Sequence, residues 1–193
     1  MAEFKAFETG IEVNGETILS VVAGMEIAKN MALDILKQHG IDDPRPGKWY
    51  SQQSWLDSFK TISEKVGSKT LNLIGRSIPN KAQWPPQVNS IEAALASIDV
   101  AYHMNHRKNG TVMFNPEKGT MIEGIGHYGF EKIGEKKIKM VCKNPYPCEF
   151  DKGIIEAAAK KFSTGEIITV AEDTTLNCRK KGGDVCTYLV SWR

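Results

Sequence analysis

Four cysteines in a chain of 193 residues carry the first chemical signal. Cys178 and Cys186 bracket a Lys-Gly-Gly-Asp turn, and closing that turn brings the two thiols together. Cys148 stands five residues before Gly153, at the head of a run with helical spacing, C-E-F-D-K-G-I-I-E-A-A-A-K-K-F. A third thiol on a neighbouring helix would fill another corner of a tetrahedral thiolate site, and zinc is the metal such donors suit. Cys142, six residues ahead of Cys148, is the reserve ligand. Buried free thiols and a disulfide remain open alternatives for the same residues. Zinc ligated by protein alone would be structural, because no position is left for water.

Histidines and aromatics form the second group. His103 and His106 lie three apart in A-Y-H-M-N-H-R-K-N-G, and on a continuing helix they share a face suited to a metal or an axial haem bond. The competing role is at a helix C-terminus, where they and Asn105, Arg107, Lys108 and Asn109 would satisfy free carbonyls. His127, set among glycines, reads as a strand residue. Aromatic-lined cavities between helices and a sheet take apolar ligands. Such a pocket is expected between the helix at 55–66, the helix at 91–102 and the strands at 121–130. Phe59, Tyr102 and Tyr128 would line it, with a tyrosine hydroxyl or His103 orienting the ligand.

These residues need elements to hold them. Asn14-Gly15 predicts a two-residue hairpin turn between Ile11, Val13 and Ile18. Apolar residues at 27, 28, 31, 32, 35 and 36 predict a helix that the Asp42-to-Gly47 loop ends. Trp55, Phe59, Ile62 and Val66 predict another, continued after Gly67 by Leu71, Ile74 and Ile78. Asn89 with Glu92 resembles a capping box opening a helix through Ile91, Leu95, Ile98 and Tyr102. From Gly110 short alternating runs read as antiparallel strands, and Asp151 caps a helix through Ile154, Ala158 and Phe162. The order predicts one α+β domain over 1–193, a helical N-terminal half followed by an antiparallel sheet with one inserted helix.

The segment at 148–192 resembles the 4-vinyl-reductase domain, of the superfamily that includes haem nitric-oxide/oxygen-binding (H-NOX) domains and subunits of the Golgi transport particle. Cys148, Gly153, Cys178 and Cys186 match the cysteine and glycine positions of that domain in aromatic-responsive transcriptional activators. There the three cysteines bind zinc with a glutamate three residues before the second cysteine. This chain has Thr175 at that position, so the resemblance implies Cys142 or Glu172 as the fourth ligand. It also implies a ligand pocket and turns Trp49, Tyr50, Phe59 and Tyr102 towards its walls. The Tyr-x-Ser-x-Arg motif of the haem-sensing relatives is absent, since Met104 and His106 follow Tyr102 at the matching positions.

Composition narrows the function. A net charge of +2 without a basic tract argues against nucleic-acid binding, and no apolar run reaches the ~20 residues of a membrane span. A chain with no signal-peptide pattern is expected in the cytoplasm. G-I-G-H-Y-G sits between strands and opens no helix, and no nucleophile elbow, phosphate loop or zinc-protease motif occurs. The expectation is a non-enzymatic sensory or binding module for an apolar small molecule. A haem or tetrapyrrole sensor and a dimeric scaffold are the alternatives. With no output domain in the sequence, a homodimer and a separate partner protein are expected to carry any signal.

Overall fold

Asn14 and Gly15 do not make the hairpin turn that their sequence offers. The computed structural model, which describes residues 3–25 and 28–193, joins strand β1 (Ile11–Asn14) directly to helix α1 (Gly15–Gly24). The Asn14 side-chain oxygen accepts the Thr17 amide at 2.9 Å, an N-cap that competes successfully with the turn. The strand partners of β1 then come from distant sequence. Strands β2 (Trp49–Ser51) and β3 (His106–Lys108) flank it antiparallel, and β4 (Thr111–Val112) completes a sheet ordered β2-β1-β3-β4.

Helix α2 (Lys29–Gln38) buries Ala32, Ile35 and Leu36, part of the expected stripe. Residue 27 of that stripe lies outside the described residues. Helix α3 (Gln52–Lys81) is two helices joined at Gly67, whose φ of 75° and ψ of 174° break the backbone pattern. Trp55, Phe59 and Ile62 are buried before the kink, and Leu71 and Ile74 after it. The stretch expected as one capped helix is likewise two, α4 (Ile91–Ala96) and α5 (Ile98–Met104), separated at Ser97. Its cap is Ser90 rather than Asn89, with the Ser90 hydroxyl accepting the Ala93 amide at 3.1 Å.

After the short pair β5 (Phe114–Asn115) and β6 (Thr120–Met121) come β7 (His127–Gly134), β8 (Lys137–Lys143), helix α6 (Cys148–Lys161), β9 (Ile168–Glu172) and β10 (Cys186–Trp192). The long strands form an antiparallel sheet ordered β7-β8-β10-β9, with α6 inserted in sequence between β8 and β9. The fold is α+β, helices first and the main sheet after, as the residue patterns predict. Helix α6 lies tightly on α3. A Cβ on Gly153 would meet the Asn72 carbonyl oxygen at 2.2 Å, so the glycine five residues after Cys148 is required by helix packing. Asp151 is not the cap of α6. Pro147 holds the cap position, and the Asp151 carboxylate turns into the core.

Candidate functional site

Helix α5, the second half of α3 with the 82–85 segment that follows it, and helix α6 enclose a cavity of about 530 Å³. Its wall is almost wholly apolar, with Trp55, Trp84, Tyr102, Tyr128, Tyr146 and Phe150 as the aromatic part. Tyr102 is held by its hydroxyl, which donates to the Ile125 carbonyl at 2.8 Å, and its ring meets those of Tyr128, Tyr146 and His106 edge-on.

His106 is the one histidine on this wall. Its Nδ1 lies 2.8 Å from the Tyr102 carbonyl oxygen, which only accepts, so Nδ1 carries the proton. Nε2 is therefore the acceptor of the Tyr146 hydroxyl at 3.0 Å. Burial lowers the His106 pKa to about 4, against the pull of the Tyr102 carbonyl, and the imidazole is uncharged at neutral pH. Burial pushes the Tyr146 hydroxyl up, while the neighbouring Gln52 and Trp55 side chains draw it back. Among the described residues the Gln52 amide and the Trp55 indole N–H meet no partner at good hydrogen-bond geometry. Polar capacity is thus available around Tyr146. Lys161 lies near the Trp84 wall, its ammonium 5.9 Å from the indole centroid and bonded to the Pro79 and Asn80 carbonyls.

The structure divides the residues that the sequence groups together. Tyr102 and Tyr128 line the cavity. Phe59 is buried against Trp55 and Phe150, with ring centroids 5.2 and 4.9 Å away, and is not on the wall. Trp49 lies under the Arg107 guanidinium, and Tyr50 accepts the Arg45 amide. His103 and His106 do not share a face, because α5 ends at Met104 and His106 begins β3. His103 instead packs beside His127, with ring centroids 5.0 Å apart. The Tyr146 and Phe150 contributions were missed. Tyr146 stands beside prolines in the sequence, which reads as loop and conceals its inward direction.

Cys148, Cys178 and Cys186 come together as the spacing predicts, all buried, with their sulfurs within 4.8 Å of one another. Cys142 faces Cys186 in the β8–β10 register but is not in that group. Of the two expected fourth donors, Glu172 is the one bonded to a cluster thiol, that of Cys178. Glu3 is an unexpected neighbour, its carboxylate oxygen 3.2 Å from the Cys148 sulfur. Nothing in the local sequence links residue 3 to a thiol 145 positions away. The Cys148 thiol bonds to Cys186, which holds Cys186 low, with help from Arg179, and pushes Cys148 up. Tetrahedral zinc–thiolate geometry needs sulfurs about 3.8 Å apart, so small side-chain movements would close this set on an ion.

A buried polar chain joins the thiols to the cavity. The Arg179 guanidinium donates to the Cys186 sulfur at 3.3 Å and is paired with Asp151. The other Asp151 oxygen accepts the Tyr128 hydroxyl at 2.6 Å, and Asn144 donates to the carboxylate as well. Burial pushes the Asp151 carboxyl up, while Arg179 pulls it back; Arg179 itself stays charged because Asp151 faces it.

The fold defined by these elements is that of H-NOX proteins. The chain matches an H-NOX protein from S. oneidensis in an Fe(II) ligation state over 93% of this chain and 96% of that one, with a TM-score of 0.65 and 16% identity. It matches an oxygen-binding H-NOX domain related to soluble guanylate cyclases over 93% and 95%, with a TM-score of 0.63 and 18% identity. A mutant structure of T. tengcongensis H-NOX is matched over 93% and 97%, with a TM-score of 0.63 and 18% identity. No protein-family model and no curated protein matches the sequence. Of the resemblance drawn from the sequence, the H-NOX fold is the part that these matches show.

Proposed function

We propose that the chain is a non-enzymatic sensory protein whose cavity holds a flat, largely apolar ligand, a haem-type tetrapyrrole. The observation that carries this reading is His106, an uncharged buried imidazole on an otherwise apolar and aromatic wall. The fold is one in which solved relatives are named for Fe(II) ligation and for haem distortion. The donor chemistry fits. His106 would hold the iron through Nε2, in place of the Tyr146 hydroxyl that donates to that nitrogen, because Nδ1 is tied to a backbone carbonyl that fixes the ring. When bound, such a group supplies a redox-active iron able to take a small gaseous ligand. The chain's own part is to keep His106 uncharged, to exclude water with Tyr102, Tyr128 and Phe150, and to hold the Tyr146 hydroxyl nearby.

A second reading is a neutral aromatic molecule of phenol size. It is favoured because no Lys or Arg is among the described residues lining the cavity, whereas Trp55 and Tyr146 on its wall carry an indole N–H and a hydroxyl for a small polar group. Absorption of the protein as purified and after haem addition separates the two. A Soret band that shifts or disappears in His106→Ala supports the tetrapyrrole. No haem uptake, together with a melting-temperature rise of several degrees on saturation with a phenol, supports the small ligand, since saturation at 100 times Kd contributes about 2.7 kcal/mol. If neither class shifts the melting temperature, the cavity reading fails and a scaffold role replaces it. A cytoplasmic setting, a separate output partner and a structural zinc at Cys148, Cys178 and Cys186 complete the proposal. Among the described residues no helix is long and apolar enough to cross a membrane.

A further inference from the structure

We infer that His103, His127 and Asp99, with Glu123 beside them, form a second metal site, for a divalent ion of the zinc class, separate from both the cavity and the thiols. One ring nitrogen of each histidine and one Asp99 oxygen lie within 4.8 Å of one another. Asp99 reaches His127 Nδ1 at 2.9 Å and His103 Nδ1 at 3.6 Å. The 2.9 Å contact is within reach of the edge of about 3.4 Å between nitrogen and oxygen donors around tetrahedral zinc, and on His103 the nitrogen left for an ion is Nε2, because Nδ1 is bonded to the Asp99 carbonyl.

Two features point beyond an ordinary surface cluster. The His103 side chain is fully buried, its Nδ1 bonds to the Asp99 carbonyl oxygen at 2.9 Å, and its Nε2 meets no partner among the described residues. A buried ring nitrogen left without a bond is costly, and an imidazole anchored on a backbone carbonyl is oriented as ligating histidines commonly are. His127, in turn, is clamped between Asp99 at 2.9 Å and Glu123 at 3.1 Å. Carboxylate oxygens only accept, so the two ring nitrogens that they hold both carry protons. A cation is thus already preferred between the two carboxylates. When a divalent ion binds, a His127 N–H bond breaks, the proton leaves to solvent, and a metal–nitrogen bond forms in its place.

The surroundings suit this exchange. Asp99 Oδ1 accepts the Tyr128 amide at 2.8 Å, which fixes the carboxylate. Lys108 donates to the Glu123 backbone oxygen and pairs with Glu8, and Lys143 stands opposite His127 in the β7–β8 register, so further charges of both signs neighbour the cluster. His127 and Glu123 are 36% and 77% exposed at their side chains, which opens one side to an ion and its water.

The test is a Co2+ titration of the chelator-treated full chain, followed by absorption and by calorimetry in two buffers of different ionisation heat. The site should bind cobalt with ligand-field bands but no thiolate charge-transfer band, and should release about one proton per ion. Cys178→Ser should leave that event in place. His127→Ala should weaken it by more than the 10–100-fold that loss of an outer-shell partner costs. The exposed Glu123→Gln should weaken it about 10-fold, and covers the case in which His127→Ala fails to fold. Unchanged cobalt affinity in Glu123→Gln and in a folded His127→Ala, or cobalt binding only with a thiolate band, overturns the site.

Discussion

His106 gives the sharpest prediction, because its protonation is set by burial that the unfolded chain does not have. In haem-free protein its pKa is about 4 when folded, against an ordinary 6.5. Between those values the unfolded chain binds a proton that the folded chain refuses, so stability falls as pH drops. The contribution is fully present above pH 6.5 and is lost by about pH 4. A difference of about 2.5 units corresponds to roughly 3 kcal/mol, of which about 2.5 kcal/mol disappears between pH 7.5 and 4.5. His106→Gln removes the titrating group and so removes this slope. At pH 7.5 the variant should be less stable by about 1–3 kcal/mol, since the Tyr102 carbonyl and Tyr146 hydroxyl lose their partner. Urea unfolding at both pH values measures the gap, with an unchanged m-value confirming that the same structure unfolds. The gap should narrow by about 2.5 kcal/mol on acidification. A gap constant to within about 0.5 kcal/mol, or an NMR titration of the ring with a midpoint near its ordinary value, would refute the buried uncharged imidazole.

Three further outcomes follow from the same geometry. Arg179→Met leaves the Asp151 carboxylate buried without its cation and should cost about 3–5 kcal/mol, lowering the melting temperature by roughly 6–20 °C. A loss below about 1 kcal/mol in calorimetry would contradict the pair. Elemental analysis of protein purified without chelator should find about one zinc per chain at the thiol cluster, and Cys186→Ser should lower both zinc content and melting temperature. Unchanged melting with unchanged zinc would count against the cluster as a zinc site. Light scattering at micromolar concentration should return about twice the chain mass of 21.4 kDa, and a monomer mass would remove the proposed dimer.

Periodicity alone located α2, both halves of α3, α6 and the long strands, because each buries one face and repeats at 3.6 or 2 residues. The cysteine spacing around a glycine turn likewise foretold that three sulfurs would meet, since the turn is local and α6 begins at Cys148. What the sequence could not convey depends on which distant segment arrives. Asn14-Gly15 is an equally good turn or helix cap until β2 and β3 take the edges of β1. Asp151 has the residue type of a cap, but Arg179, 28 positions away, draws its carboxylate into the core. His103 and His106 share a face only if their helix continues, and it ends between them, sending one ring to the cavity and the other to His127. Local spacing fixes which side chains share a face over a few residues. Which face is buried, and against what, is decided by long-range packing that orders side chains only once the whole core has closed.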